Sequence, residues 1–163
     1  MRNHTPGNGS SWPVLVGEVH SETSYKAPRF AVNANNMLAA SVWSTDYNTG
    51  ITALYTWYVL AMSLNQSTKQ CKFYVDGVLV ATQSFTSSGS KVHISGSVNN
   101  TSTDIRSNTD VYYAAIVNKV EDDAAIQANS KCIKAYYFDN IKSYDWAISP
   151  NSGVAIPNIT KNI

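Results

Sequence analysis

Charge is what this sequence has least of. Asp, Glu, Lys and Arg make up 14% of its 163 residues, against roughly 25% in an average soluble domain. A helical bundle or coiled coil would need far more Glu, Lys and Leu, so that class is excluded. Twelve basic and eleven acidic residues leave a formal net charge of +1. With no Lys/Arg cluster, neither nucleic acid nor an anionic membrane surface is indicated as a partner. The apolar runs are strand-length, so none is long enough to span a bilayer as a helix. Cysteine is scarce too. Cys71 and Cys132 form neither a disulfide framework nor a zinc motif, and both are expected as free buried thiols. His4, His20 and His93 are scattered, with no His-x-x-x-His spacing, which argues against zinc. There is no Gly-x-Ser-x-Gly nucleophile turn and no Gly-rich phosphate loop. The first ten residues carry no apolar stretch of the secretory-signal kind, and residues 1–11 are expected as a flexible lead-in.

What is abundant points to strands. Apolar residues reach 44% and aromatics 11%, including 10 Tyr and 4 Trp. Tyr, Trp, Val and Thr suit a pleated, half-buried surface. The run from Trp12 to Val19 reads as a strand, as do Arg29 to Val32 and Met37 to Trp43, with a turn at Asn33 to Asn36. Ser44 to Gly50 reads as a polar loop. Trp57 to Leu64 is apolar on both faces and is expected to be central, with Trp57 in the core. Cys71 to Val75 and Val78 to Thr82 flank Asp76-Gly77, the strongest short hairpin signal, because a type I′ turn needs positive φ at both central residues. That turn pairs Val75 with Val78 and Phe73 with Val80, and predicts all four on one buried face. Val92 to Ile94 and Val111 to Val117 are further strand candidates. Asp122 can cap a helix carrying Ile126, Asn129, Ile133 and Tyr136/Tyr137 on one face, with Lys131 and Lys134 near its end.

The order of these pieces resembles the laminin-G-like branch of the concanavalin A-like jelly rolls. The run Trp57 to Ala61 is similar to that family's Trp-x-x-Val-Ala. Tyr74-Val75-Asp76-Gly77 is similar to its hairpin, and Asp123 to Ile126 to its late Asp-x-Glu-Ile helix, with Ala125 where the family commonly has Glu. The resemblance covers about residues 12–138 and implies an all-β fold, a concanavalin A-like jelly-roll β-sandwich with one short helix near the C-terminus. The family usually has one or two more strands before the position of Trp12. Ser143 to Ile148, which alternates Tyr144, Trp146 and Ile148 on one side, is expected to complete the sheet, with residues 149–163 as an extended tail. Three segments follow: 1–11, 12–138 and 139–163.

The resemblance implies a non-catalytic recognition module that binds a glycan or another surface ligand through loops at one edge of the sandwich. Glycosidases of this fold carry Glu-x-Asp-x-x-Glu on a strand, a paired acid and nucleophile. No strand here carries it, Glu18 and Glu22 stand alone, and Glu121-Asp122-Asp123 sit where a helix start prefers acids. No enzymatic activity is expected. Trp43, Asp46, Tyr47, Asn48 and Tyr55 cluster around the 44–50 segment and offer the apolar platform with a few polar groups that a saccharide needs. Trp43 and Tyr47 read alternatively as core residues of the sandwich. Asp104, Asn108 and Asp110 supply the hard oxygens a calcium ion takes, as do Asp46 and Asn48, and the same residue types are ordinary turn formers. Calcium is the one cofactor considered. The second functional reading is a structural virion protein of a phage, such as a capsid decoration, head fibre or tail component, associating with copies of itself or with virion neighbours. Both readings place the chain outside the cell or on a virion surface.

Overall fold

In the computed structural model, residues 1–7, 13–19, 28–42, 45–86, 91–94, 109–111 and 113–137 are described. Among these residues, ten strands and one helix follow in chain order: β1 (Arg2–Asn3), β2 (Val14–Val19), β3 (Pro28–Val32), β4 (Met37–Val42), β5 (Thr45–Thr52), β6 (Leu60–Asn65), β7 (Gln70–Val75), β8 (Val78–Ser84), β9 (Lys91–Ile94), β10 (Thr109–Asp110) and α1 (Asp123–Tyr137). Every strand pairing is antiparallel. The sheets are five-stranded (β5-β4-β3-β2-β9), three-stranded (β6-β7-β8) and two-stranded (β1-β10).

Alternation builds the core. Leu15, Phe30, Val32, Leu38, Ala40 and Val42 from the larger sheet meet Cys71, Phe73 and Val75 from the smaller one. Phe30 and Phe73 touch edge to face, with centroids 5.2 Å apart at 89°, the geometry that aligns ring edge with ring face. This is a mostly β architecture, consistent with an all-β sandwich. The opposite face of β7 carries Tyr74, 1% exposed, whose hydroxyl donates to Asp123 Oδ1 at 2.8 Å. Helix α1 therefore lies over the outer face of the three-stranded sheet.

The hairpin signal holds at the turn. Asp76 (φ 52°) and Gly77 (φ 80°) both take the left-handed conformation, and Val75 opposes Val78. A bulge then shifts the register. Tyr74 opposes Leu79, but Phe73 opposes Ala81, not Val80. Phe73 and Val75 are buried and Val80 is half-buried against the core, whereas Val78 is 60% exposed. Val78 directly follows the turn, at the tip of the hairpin, where the larger sheet does not cover it. The helix also starts as the sequence indicates. Asp122 Oδ1 accepts from Ala125 N at 2.7 Å, an N-cap bond. Its buried residues are Ile126, Ser130 and Ala135, while Asn129 points to solvent. The small Ser130 replaces Asn129 on the inner face because the helix approaches the Gly77 turn closely.

Other expectations are corrected. Of the expected 44–50 loop, Thr45 to Gly50 belongs instead to β5, which lies at the edge of the larger sheet among the described strands. Polar residues are what an exposed edge tolerates, and Gly50 (φ 73°) sits in a bulge against β4. β6 is an edge strand, and β7 is the central one. Leu60, Met62 and Leu64 face the core, and the intervening Ala61 and Ser63 are half-buried on the other side. Beyond Thr109–Asp110, residues 113–117 form no strand, and Ile116 is 73% exposed. The expected lead-in contributes to the fold: Arg2–Asn3 is β1, and Asn3 is buried. Neither cysteine is in a disulfide; Cys71 is buried and Cys132 partly so. Trp12 and the segment Ser143 to Ile148 lie outside the described residues.

Candidate functional site

The two-stranded sheet brings distant parts of the chain to one place. Arg2 opposes Asp110 in the β1-β10 ladder, a separation of 108 residues. Isolated bridges join Arg2 to Trp57 and Asn3 to Leu54, so residues 54–57 line up beside β1. Five side chains converge: Arg2, His4, Tyr55, Trp57 and Asp110.

Asp110 Oδ2 accepts from Arg2 Nε (3.1 Å) and Nη2 (2.7 Å), and lies 2.9 Å from His4 Nε2. A carboxylate accepts, so this contact assigns the proton to Nε2. The Arg2 guanidinium lies 4.9 Å from the Trp57 ring centroid, within cation–π range. The His4 ring meets Tyr55 edge-on at 5.7 Å. Tyr55 is 66% exposed and has φ 60°, a conformation that costs a non-glycine residue roughly 1–3 kcal/mol. Its N–H donates to Asn3 O at 2.8 Å, which helps to hold it there. An aromatic face is thus presented to solvent on a fixed backbone, beside an ion pair.

Hydrogen bonds from His4 and then Arg2 hold the Asp110 carboxyl below the usual carboxylate range. A depressed carboxylate stabilises the fold above its unfolded pKa of about 3.9 and loses that contribution as pH falls through its folded value. Asp110 is well exposed, so solvent screens the effect. In urea denaturation, Asp110→Asn is expected to be less stable than the unsubstituted protein above about pH 4, with the difference closing below it. A difference independent of pH would show that the Asp110 charge is not what matters.

The residues proposed from the sequence are distributed differently from the expectation. Tyr55 belongs to the cluster, but Asp46, Tyr47 and Asn48 lie exposed along β5. They oppose Ser41, Ala40 and Ala39 in turn, so Asp46 and Asn48 project from the face opposite to Tyr47. Asn48 Oδ1 also accepts from Gly50 N at 3.0 Å. Trp43 lies outside the described residues, as do Asp104 and Asn108. Asp110 itself is in contact with two basic side chains, Arg2 and His4. Trp57 is half-buried rather than a core residue. Among the described residues, no three His, Cys, Asp or Glu side chains converge as a metal site.

Elsewhere, an open groove of about 510 Å³ lined mostly by polar residues lies between the smaller sheet and the start of α1. Its carboxylates are engaged in the fold. Asp122 caps the helix, Asp123 Oδ1 takes Lys72 Nζ at 2.7 Å as well as Tyr74, and Glu121 lies 3.1 Å from Lys119 Nζ. These bonds hold Asp123 below the usual carboxylate range, with Lys72 as the larger cause. Burial, then the bond to Asp123, pushes the Tyr74 hydroxyl up.

No protein-family model, curated protein or solved structure matches the chain. The geometry of the site is therefore what a functional reading has to stand on.

Proposed function

We propose that the chain is a non-catalytic recognition module that binds a glycan at the Tyr55 cluster, built on a laminin-G-like jelly roll. Support for the fold comes from the antiparallel sandwich, the type I′ turn at Asp76-Gly77 and the helix capped by Asp122. Support for the function comes from one observation above the others: Tyr55 holds an exposed ring on a left-handed backbone beside the Arg2–Asp110 pair. Strain of that kind persists where surrounding structure over-determines it, and it concentrates at ligand sites. A flat apolar face with a few oriented polar groups is what a sugar ring requires. The exposed apolar side chains of Val111, Ile116 and Val120 favour placing the module in a larger assembly, the virion reading, where the same face would serve adhesion.

The test is a glycan array with the intact protein and Tyr55→Ala. The unsubstituted protein is expected to retain at least one glycan. The variant should lose about tenfold or more in affinity, the loss of one stacked ring and its packing, with an unchanged melting point. An array without any bound glycan, or a Tyr55→Ala variant that binds as well, would overturn the assignment.

A further inference from the structure

We infer that the Tyr55 site selects neutral, hydroxyl-rich saccharides and binds them without a calcium ion; this rests on the glycan reading above. Arg2 Nε and Nη2 both donate to Asp110 Oδ2, and His4 Nε2 donates to the same oxygen. The guanidinium face is also spent on Trp57. Two acceptors stay open beside Tyr55: no described residue donates to Asp110 Oδ1, and none donates to His4 Nδ1, which is an acceptor in the neutral ring. A ligand that fits such a site must bring hydrogen-bond donors, and adjacent sugar hydroxyls do so. An anionic sugar brings acceptors instead. Its carboxylate would face the like-charged Asp110, with the Arg2 charge already paired.

Charge argues in the same direction. Arg2 and Asp110 neutralise each other at 2.7 Å, which leaves no uncompensated charge for an ionic ligand to use. The same pair works against calcium at this carboxylate. An incoming dication would meet the Arg2 guanidinium across the oxygen it must share, with like-charge repulsion at close range. Tyr55 supplies the rest of the site, an apolar face for the C–H side of a sugar ring beside the two acceptors.

The experiment is calorimetric titration of the full chain with three sets of probes: mannotriose, lactose and cellotriose; the anionic sialyllactose and trigalacturonate; and the cationic glucosamine trimer. Each is run with and without EDTA. A neutral probe is expected to bind best, with the same affinity in EDTA. Asp110→Asn should weaken it about tenfold or more, since a bond to a charged acceptor is lost. Tyr55→Phe, which keeps the ring, should stay within about threefold of the unsubstituted protein, under one kcal/mol by the same conversion. Preference for an anionic or cationic probe, or loss of neutral binding in EDTA, would overturn this inference while leaving glycan recognition intact. So would unchanged affinity in Asp110→Asn. Failure of all three sets would count against the recognition reading itself, and this inference would fall with it.

Discussion

Phe73→Ala is expected to cost about 3–5 kcal/mol of stability, the range for emptying a buried aromatic site. Phe73 is fully buried on the central strand of the smaller sheet, and its ring abuts Phe30 of the opposite sheet. Truncation removes the apolar area of the ring and also the edge-to-face contact, worth about 0.5–1.5 kcal/mol beyond burial. The cavity would open between the two sheets, where Leu38 and Cys71 are themselves held by strand ladders and cannot easily collapse inward. For a chain of this length the melting midpoint should fall by roughly 6–20 °C. Phe73→Leu keeps most of the volume and should cost markedly less. A Phe73→Ala protein that melts within error of the unsubstituted one would mean that the sheets do not pack through this pair.

Which parts of this fold could be read from the sequence depended on distance along the chain. Asp76-Gly77 announces a turn whose constraint, positive φ at two adjacent residues, is local chemistry. Asp122 announces a helix start for the same reason. The bulge that moves Val80 out of register leaves no such mark. It is set by how β8 must twist to keep its face on the core, and side-chain alternation alone cannot locate it. β5 was hidden by its position: an edge strand tolerates polar residues, so Thr45 to Gly50 has the composition of a loop.

The candidate site was half legible, and for reasons unlike those that assembled it. Tyr55 stood out as an aromatic near a polar segment, and Asp110 as a hard-oxygen ligand. The structure joins them through His4, which touches both. His4 and Arg2 fall in a Pro/Gly/Asn-containing stretch that has no periodicity, so nothing local predicts their strand. β1 exists because β10 and the 54–57 segment pair with it. A two-residue strand paired across 108 positions has no signature in composition or spacing. The same holds for the left-handed backbone of Tyr55, a conformation that favours Gly and Asn and disfavours a bulky aromatic.

Gly77→Val is expected to be the most damaging single change at the surface of the smaller sheet, because it strikes two structures at once. The first is the turn. At φ 80° a β-branched residue meets the clash that keeps L-residues out of the left-handed region, costing roughly 1–2 kcal/mol. The second is the helix. A Cβ at this position would lie 3.0 Å from Gln127 Cα, 3.1 Å from its carbonyl oxygen and 3.2 Å from Ser130 Cβ. Two of these are backbone atoms of α1, which cannot swing aside as a flexible side chain would. The helix is pinned on either side of this point, by Asp123 to Lys72 and Tyr74 and by Lys134 to Asp76. It can yield only by breaking one of those anchors, and overpacking of this sort costs about 1–3 kcal/mol more. Together the two penalties come to roughly 2–5 kcal/mol. Hydrogen exchange separates them. A pure turn defect would lower protection in β7 and β8, whereas displacement of the helix would lower it first across Ile126 to Ala135. Gly77→Ala should show the same pattern at smaller amplitude, since it adds the Cβ without the two methyls. Asp76→Asn, whose side chain tolerates the left-handed conformation, should keep the turn and lose the charge that holds Lys134. If Gly77→Val leaves helix protection untouched while the turn loosens, α1 is not seated on the hairpin in solution, and the close approach at Gln127 is not a constraint on this fold.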